Sequence, residues 1–430
     1  MARDTSPRRL FEGDLTVWIV YFILCAISLV EVYSAASSLT YGHDSFLGPL
    51  IKQLCFVLGG TLVVIFTQHV PPRYFRVLGL VGWMVSIVLL LVTLVSGHNA
   101  NGAARWLSLF GFQIQPSEVA KGMTILLVSI ILTYSARVKD GDKMAFWSIF
   151  CTGGLTCLLI VSENLSTAVI LFLTIALLMY ISGLNRKYLT RLFLAIGIVG
   201  ALGFLALKSL PADESADIYK VGAFHRALTW RNRVAGDEAP RPQDPHEFVI
   251  TDKNRQEVNA LIAVSSTTGI GKMPGNSVQR DFLSQPYSDF IFAIIAEEMG
   301  LWGTFLVAFL YAILLFRAGR IASGCNKNFP AFAVLGLTLM MVLQACVNMA
   351  VAVGLFPVTG QTLPIISRGG SSLLITCLYF GIILSVSRDQ KQQKKTSSAT
   401  PKAVSAAPAR SAEPELQVAE MVTPAATTED

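Results

Sequence analysis

A chain of 430 residues that is 53% hydrophobic and only 14% charged, with a mean hydropathy of +0.56, is too apolar for a water-soluble globule, and the bilayer is its main solvent. Its formal net charge of +6 is dispersed over short connecting segments and the C-terminal tail, with no basic stripe interleaved with aromatics, which argues against a nucleic-acid partner. Cys25, Cys55, Cys151, Cys157, Cys346 and Cys377 fall in apolar windows, Cys325 lies in a loop without ligand spacing, and the five histidines are scattered, so neither a disulfide framework nor a metal centre has support.

Windows long enough to cross a hydrocarbon core of about 30 Å recur along the chain. They cover 16–36, 48–68, 74–96, 116–136, 145–162, 165–183, 189–208, 288–317, 328–354 and 369–387. They lack the short alternation of barrel strands, and in lipid the backbone must satisfy itself, so the predicted fold class is all-α: a polytopic membrane protein with about ten transmembrane helices. The first window, "DLTVWIVYFILCAISLV", opens a series of similar segments and is read as a retained helix rather than a cleaved signal.

The connections alternate in charge. Arg8 and Arg9, Arg73 and Arg76, Arg137 with Lys139 and Lys143, Arg186 with Lys187 and Arg191, Arg317 with Arg320 and Lys327, and Arg388 with Lys391, Lys394 and Lys395 share one side, which the positive-inside rule makes cytoplasmic together with both termini. The organisation expected is a cytoplasmic segment 1–13, a transmembrane domain 14–388 with a large outer loop 209–287, and a disordered cytoplasmic tail 389–430. The Pro-rich "GDEAPRPQDPHEF" is read as a mobile loop tip.

Three outer-side stretches carry the chemistry. In "NGAARWLSLFGFQIQPSEVAK", Pro116 suits the first turn of helix four, and Glu118 and Lys121 are spaced i, i+3. They form a structural ion pair, or Lys121 joins Arg105 in offering positive charge to an anionic lipid headgroup.

In "QPYSDFIFAIIAEEMG", Asp289 falls in the first turn of a helix starting near Ser288. Ala293, Ala296, Gly300 and Gly303 project within about 40° of it, a groove of small side chains open to a helix or a lipid chain. Glu297 and Glu298 lie roughly 12 Å deeper, outside the separation of about 5 to 9.5 Å that paired-carboxylate glycosidases use. They read as hydrogen-bonded packing acids. Asp289 is either a helix N-terminal acid or a lone base.

In "GLFPVTGQTLPIISRGGSSLL", the helix N-terminus at Gly369, Gly370, Ser371 and Ser372, with Arg368 beside it, suits a phosphate. The alternative is a re-entrant loop whose small residues allow tight packing. Arg226, Trp230 and Arg280 of the long loop either contact substrate or are solvated.

Taken in order, "NGAARW…QPSEVAK", "GIGKMPGNSVQRDFLSQPYSDFIFAIIAEEMG" and "PVTGQTLPIISRGGSSLL" resemble the SEDS family of bacterial peptidoglycan polymerases, whose named members are FtsW and RodA. The likeness covers about 14–388, and the N-terminal extension and tail are more like FtsW. It implies a glycosyltransferase at the outer face of the bacterial plasma (inner) membrane that polymerises lipid II into glycan strands and releases undecaprenyl diphosphate, in septal synthesis during division. It implies that Asp289, in "SDFIFA" where the family reads "TDFIFA", is the catalytic base. Lys121, Glu118, Arg105, Ser371 and Arg368 are the substrate-binding candidates, and a divalent cation, magnesium or manganese, is a further candidate for neutralising the departing diphosphate. A class B penicillin-binding protein transpeptidase and other division proteins are the implied partners.

The chain departs from the family where "AARW" replaces a double arginine, where "ENLSTA" replaces "PDLGTA" with Asn164 and Ser166, and where "SRGGSS" replaces "SYGGSS". No catalytic duty falls to the Asn164 loop. A lipid II flippase, a non-catalytic division scaffold and an elongation role are the competing expectations.

Overall fold

The computed structural model describes residues 10–36, 48–96, 98–100, 103–109, 112–209, 254–283 and 287–399. Its helices are α1 (Leu15–Ala36), α2 (Gly48–Gln68), α3 (Tyr74–Ser96), α4 (Pro116–Ser135), α5 (Gly141–Glu163), α6 (Leu165–Ile181), α7 (Arg186–Ser209), α8 (Arg255–Ser265), α9 (Ile291–Ser323), α10 (Asn328–Ala352) and α11 (Ser371–Ala399). Among the described residues nine are long and apolar enough to cross a membrane, and α6, with 17 residues, is apolar but shorter. Each expected window falls on one of these ten helices. Arg226, Trp230, the Pro-rich stretch and residues 37–47 lie outside the described residues.

Helix α4 occupies the centre, packed by α3, α5, α6 and α10. Glycines let it be approached closely: a Cβ on Gly122 would sit 2.3 Å from the Tyr379 ring of α11, and one on Gly336 of α10 would sit 2.5 Å from Ile125. The rim is apolar outward, as lipid requires: Val77, Val81 and Val88 on α3 and Leu194, Ile198 and Leu202 on α7 are exposed. A single residue, Asn164, separates α5 from α6. Its extended backbone (φ −158) and its side-chain oxygen, accepting from Ser166 N at 3.0 Å and Thr167 N at 3.4 Å, make it the N-cap of α6.

At the N-terminal end of α1, Asp14 caps that helix through Thr16 N (2.9 Å) and Val17 N (3.3 Å) and pairs with Arg317 of α9. Burial alone would raise this carboxyl, but the Arg317 hydrogen bond and charge, with the two backbone N–H groups, outweigh it and hold Asp14 below the ordinary carboxylate range. Glu12 lies 3.6 Å from Arg388. Arg317 and Arg388, both read as residues of the basic side, thus meet the start of α1.

The structure differs from the sequence reading in four places. The loop before α4 contains three short antiparallel strands, β1 (His98–Ala100), β2 (Ala103–Leu109) and β3 (Phe112–Ile114), in the order β1-β2-β3, with Trp106 opposite His98 and Ile114 opposite Leu107. The long loop between α7 and α9 contains α8. Helix α11 runs on past Arg388 to Ala399, because "KQQKK" is made of good helix formers.

The fourth difference concerns α9. Gly300 (φ 68, ψ −163) breaks its helical path, so Ile291–Met299 is one piece and Leu301–Ser323 another. The second piece, at about 1.5 Å per residue, still covers about 30 Å of hydrocarbon. The small-residue groove is absent accordingly: Ala293 and Ala296 are buried, and the break at Gly300 ends the face they share with Gly303.

Candidate active site

Asp289 precedes α9 instead of occupying its first turn. Phe290 is the N-cap (φ −111, ψ 16), and its carbonyl takes the first helical N–H groups, from Ala293 and Ile294. The reason lies in the preceding carbonyls, which serve other partners. Tyr287 O accepts from Arg368 N (2.9 Å), Ser288 O from Ser367 Oγ (2.7 Å) and Asp289 O from Asn348 Nδ2 (2.8 Å). The half-buried Asp289 carboxylate accepts from Ser288 Oγ at 2.9 Å.

The segment that supplies these anchors is itself pinned. Ser367 Oγ accepts from Leu363 N (2.7 Å), Tyr311 OH donates to Pro364 O (2.5 Å) and Ser28 Oγ to Ile366 O (2.8 Å). Ile365 sits at φ 69, a conformation that a β-branched residue adopts only when its surroundings impose it. Arg368 lays its guanidinium over the Tyr287 ring at 5.0 Å.

Glu118 and Lys121 meet as their spacing predicts, at 2.7 Å. Lys121, 1% exposed, also donates to Gln344 Oε1 at 2.7 Å, while Glu118 lies 3.5 Å from Ser372 Oγ. The ammonium is therefore turned to internal partners rather than to an open headgroup site. The N-termini of α4 and α11 converge around the pair, and the hydroxyls of Ser117 and Ser371 at those ends have no hydrogen-bond partner among the described residues. Two helix N-termini with unused donors form a locally electropositive spot. Arg105 falls on β2, but its side chain lies outside the described residues.

Glu297 and Glu298 are hydrogen-bonded acids, with a partner the sequence did not reveal: the segment 272–279 that precedes α9. Glu297 takes Lys272 Nζ (2.6 Å), Ser277 Oγ (2.5 Å), Val278 N (3.1 Å) and Gln279 N (3.3 Å). Glu298 takes Gly275 N (3.1 Å), Ser277 N (3.2 Å) and the hydroxyl of Ser34 on α1. Arg280 is tied down too, donating to Ser34 O at 3.2 Å.

Gln344, Asn348, Gln361 and Ser367 join the site without having been singled out. "QACVN" on α10 carried a signal: two amides at i, i+4 on one face of an otherwise apolar spanning helix. No group of three or more His, Cys, Asp or Glu among the described residues converges to hold a metal.

A bundle of spanning helices, with an anchored carboxylate beside a buried charged cluster, defines a polytopic membrane protein with a polar centre inside its helices. The chain belongs to the FtsW/RodA/SpoVE family: the family model described as "Cell cycle protein" matches residues 14–392. It is 30% identical to "Probable peptidoglycan glycosyltransferase FtsW" of Marinobacter nauticus, over 90% of this chain and 92% of that one, and 29% identical to "Stage V sporulation protein E" of Bacillus subtilis, over 90% and 98%. A solved chain from a peptidoglycan synthase complex that coordinates polymerization and crosslinking superposes with a TM-score of 0.66 at 25% identity, covering 88% of this chain and 99% of that one. Thermus thermophilus rod shape determining protein RodA shares the fold, with a TM-score of 0.60 at 24% identity over 88% and 97%.

Proposed function

We propose that this chain is a peptidoglycan glycosyltransferase that polymerises lipid II at the outer face of the plasma membrane during septal wall synthesis, with Asp289 as its base. The half-buried Asp289 carboxylate, on a main chain anchored at 288 and 289, carries the reading, and the family and the names of its relatives support it. The sugar 4-hydroxyl attacks the anomeric carbon of the next unit, Asp289 accepts its proton, and the bond to undecaprenyl diphosphate breaks with the electron pair leaving on the diphosphate. A diphosphate needs positive potential rather than a protonating acid. The converging N-termini of α4 and α11, with Ser117, Ser371, Arg368, Arg105 and the Lys121–Glu118 pair, are assigned that task. A magnesium or manganese ion, where used, would be held chiefly by the diphosphate oxygens. The proposed partner is a class B penicillin-binding protein acting with other division proteins.

The test gives purified protein and its transpeptidase partner lipid II and scores glycan polymer. Asp289→Asn is expected to abolish polymer while expression and partner binding persist. Lipid II moved between leaflets without being lengthened would instead identify a flippase, and no polymer from the unaltered chain would identify a scaffold.

A further inference from the structure

We propose that α10 sets the geometry of the site through two amides one turn apart, Asn348 as a positioning residue for Asp289 and Gln344 as a positioning residue for Lys121. The inference rests on Asp289 acting as the base.

Asn348 Nδ2 donates to Asp289 O (2.8 Å) and to Gln361 O (2.7 Å). Both partners are carbonyls, so the NH2 must face them, and the orientation of this amide follows from chemistry. Its Oδ1 is left buried without a hydrogen-bond partner among the described residues. Four residues earlier, Gln344 turns Oε1 to the Lys121 ammonium (2.7 Å) and Nε2 to Thr362 O (3.0 Å). The neighbouring main-chain carbonyls of 361 and 362 thus clasp both amides, and one face of α10, with a pitch of about 5.4 Å, holds the base's backbone and the cation in register.

Asn348 and Gln344 are 1% and 5% exposed, and each is hydrogen-bonded to the residue it positions, Asn348 to the main chain of Asp289 and Gln344 to the Lys121 ammonium. Of the four contacts only Gln344–Lys121 joins two spanning helices, a kind of bond that contributes modestly to stability, and the other three fix the loop carbonyls of 289, 361 and 362. As a geometric device they are apt, because the reaction is sensitive to small displacements of a catalytic group. The assignment separates the two amides by kinetics. Displacing Asp289 slows turnover, whereas moving the buried Lys121 charge changes the potential at the converging N-termini of α4 and α11 and so weakens binding of the diphosphate-bearing substrate without a direct contact.

The test measures kcat and apparent KM for lipid II polymerisation with the full chain and its transpeptidase partner, for Asn348→Leu (similar in size, no donors), Asn348→Ser (one donor kept), Gln344→Leu and Asp289→Asn. Asn348→Leu is expected to lower kcat on the order of 10- to 100-fold with apparent KM unchanged. Asn348→Ser is expected to fall between, and Gln344→Leu to raise apparent KM and spare kcat. Wild-type kcat in Asn348→Leu overturns the inference, as does a loss shared by kcat and binding in step with lost thermal stability. If the leucine variant does not fold, Asn348→Ser decides: reduced kcat at constant KM supports the assignment, and wild-type kcat sinks it. Polymer from Asp289→Asn would instead remove the base reading itself.

Discussion

Gly271 and Gly300 meet backbone to backbone: a Cβ on Gly271 would lie 2.4 Å from Gly300 N, and one on Gly300 would lie 2.5 Å from Gly271 N. Both have positive φ, 79 and 68. The contact fastens the segment after α8 to the break in α9, where Leu301 N donates to Thr268 O at 3.1 Å and Lys272 N to Glu297 O at 2.9 Å. Substitution at either glycine meets both obstacles. Gly271→Ala and Gly300→Ala are each expected to cost at least about 1–2 kcal/mol for the left-handed backbone alone, with a larger total from the clash. Thermal unfolding in detergent reads the loss.

The buried pair Lys121–Glu118 behaves asymmetrically under mutation. Lys121→Met leaves a carboxylate without its cation, and removing one partner of a buried pair costs about 3–5 kcal/mol. The double change Lys121→Met with Glu118→Gln should recover much of that stability without restoring polymer, if Lys121 helps to receive the diphosphate. Unfolding midpoints and polymer yield for the two variants check the pair of outcomes. Polymer from the double variant would show that the pair serves the fold alone.

Asp14 makes stability depend on acid pH. Its folded pKa lies below the ordinary 3.8, so the ion pair with Arg317 contributes fully above that value and is lost as pH falls through the lower, folded value. Asp14→Asn lacks this component. The difference in melting temperature between the wild type and Asp14→Asn is therefore expected to be constant above pH 3.8 and to shrink below it. A difference that grows on acidification would reverse the sign and refute the assignment.

Asn164 caps α6 and also donates its amide to Thr359 O at 3.4 Å. Asn164→Ala is expected to cost about 1 kcal/mol, whereas Asn164→Asp keeps the cap acceptor, loses only the long bond to Thr359 O and is expected to cost less. Both are expected to polymerise lipid II at wild-type rates per folded molecule, measured with the partner present.

Much of this was legible in the sequence, and the reasons for the rest are specific. Hydropathy finds the ten helices because lipid imposes one requirement on every spanning segment. Helical spacing finds Glu118 with Lys121 because i, i+3 is a local relation. The break at Gly300 was hidden, since an apolar window runs through it without interruption and only the packing of Gly271 against it makes the turn necessary. The start of α9 was misplaced for the same kind of reason: the carbonyls of 287–289 are claimed by residues far along the chain. Asn348 and Gln344 were visible as amides in an apolar helix, but what they hold is a tertiary fact.

Those distant claims also govern when the site comes into being. The groups that grip Ser288 and Asp289 lie 79 and 59 residues downstream, Ser367 in the segment that precedes α11 and Asn348 on α10. The chain passes through 288–289 before it reaches either anchor, so a chain shortened ahead of Asn348 has neither group that seats this backbone.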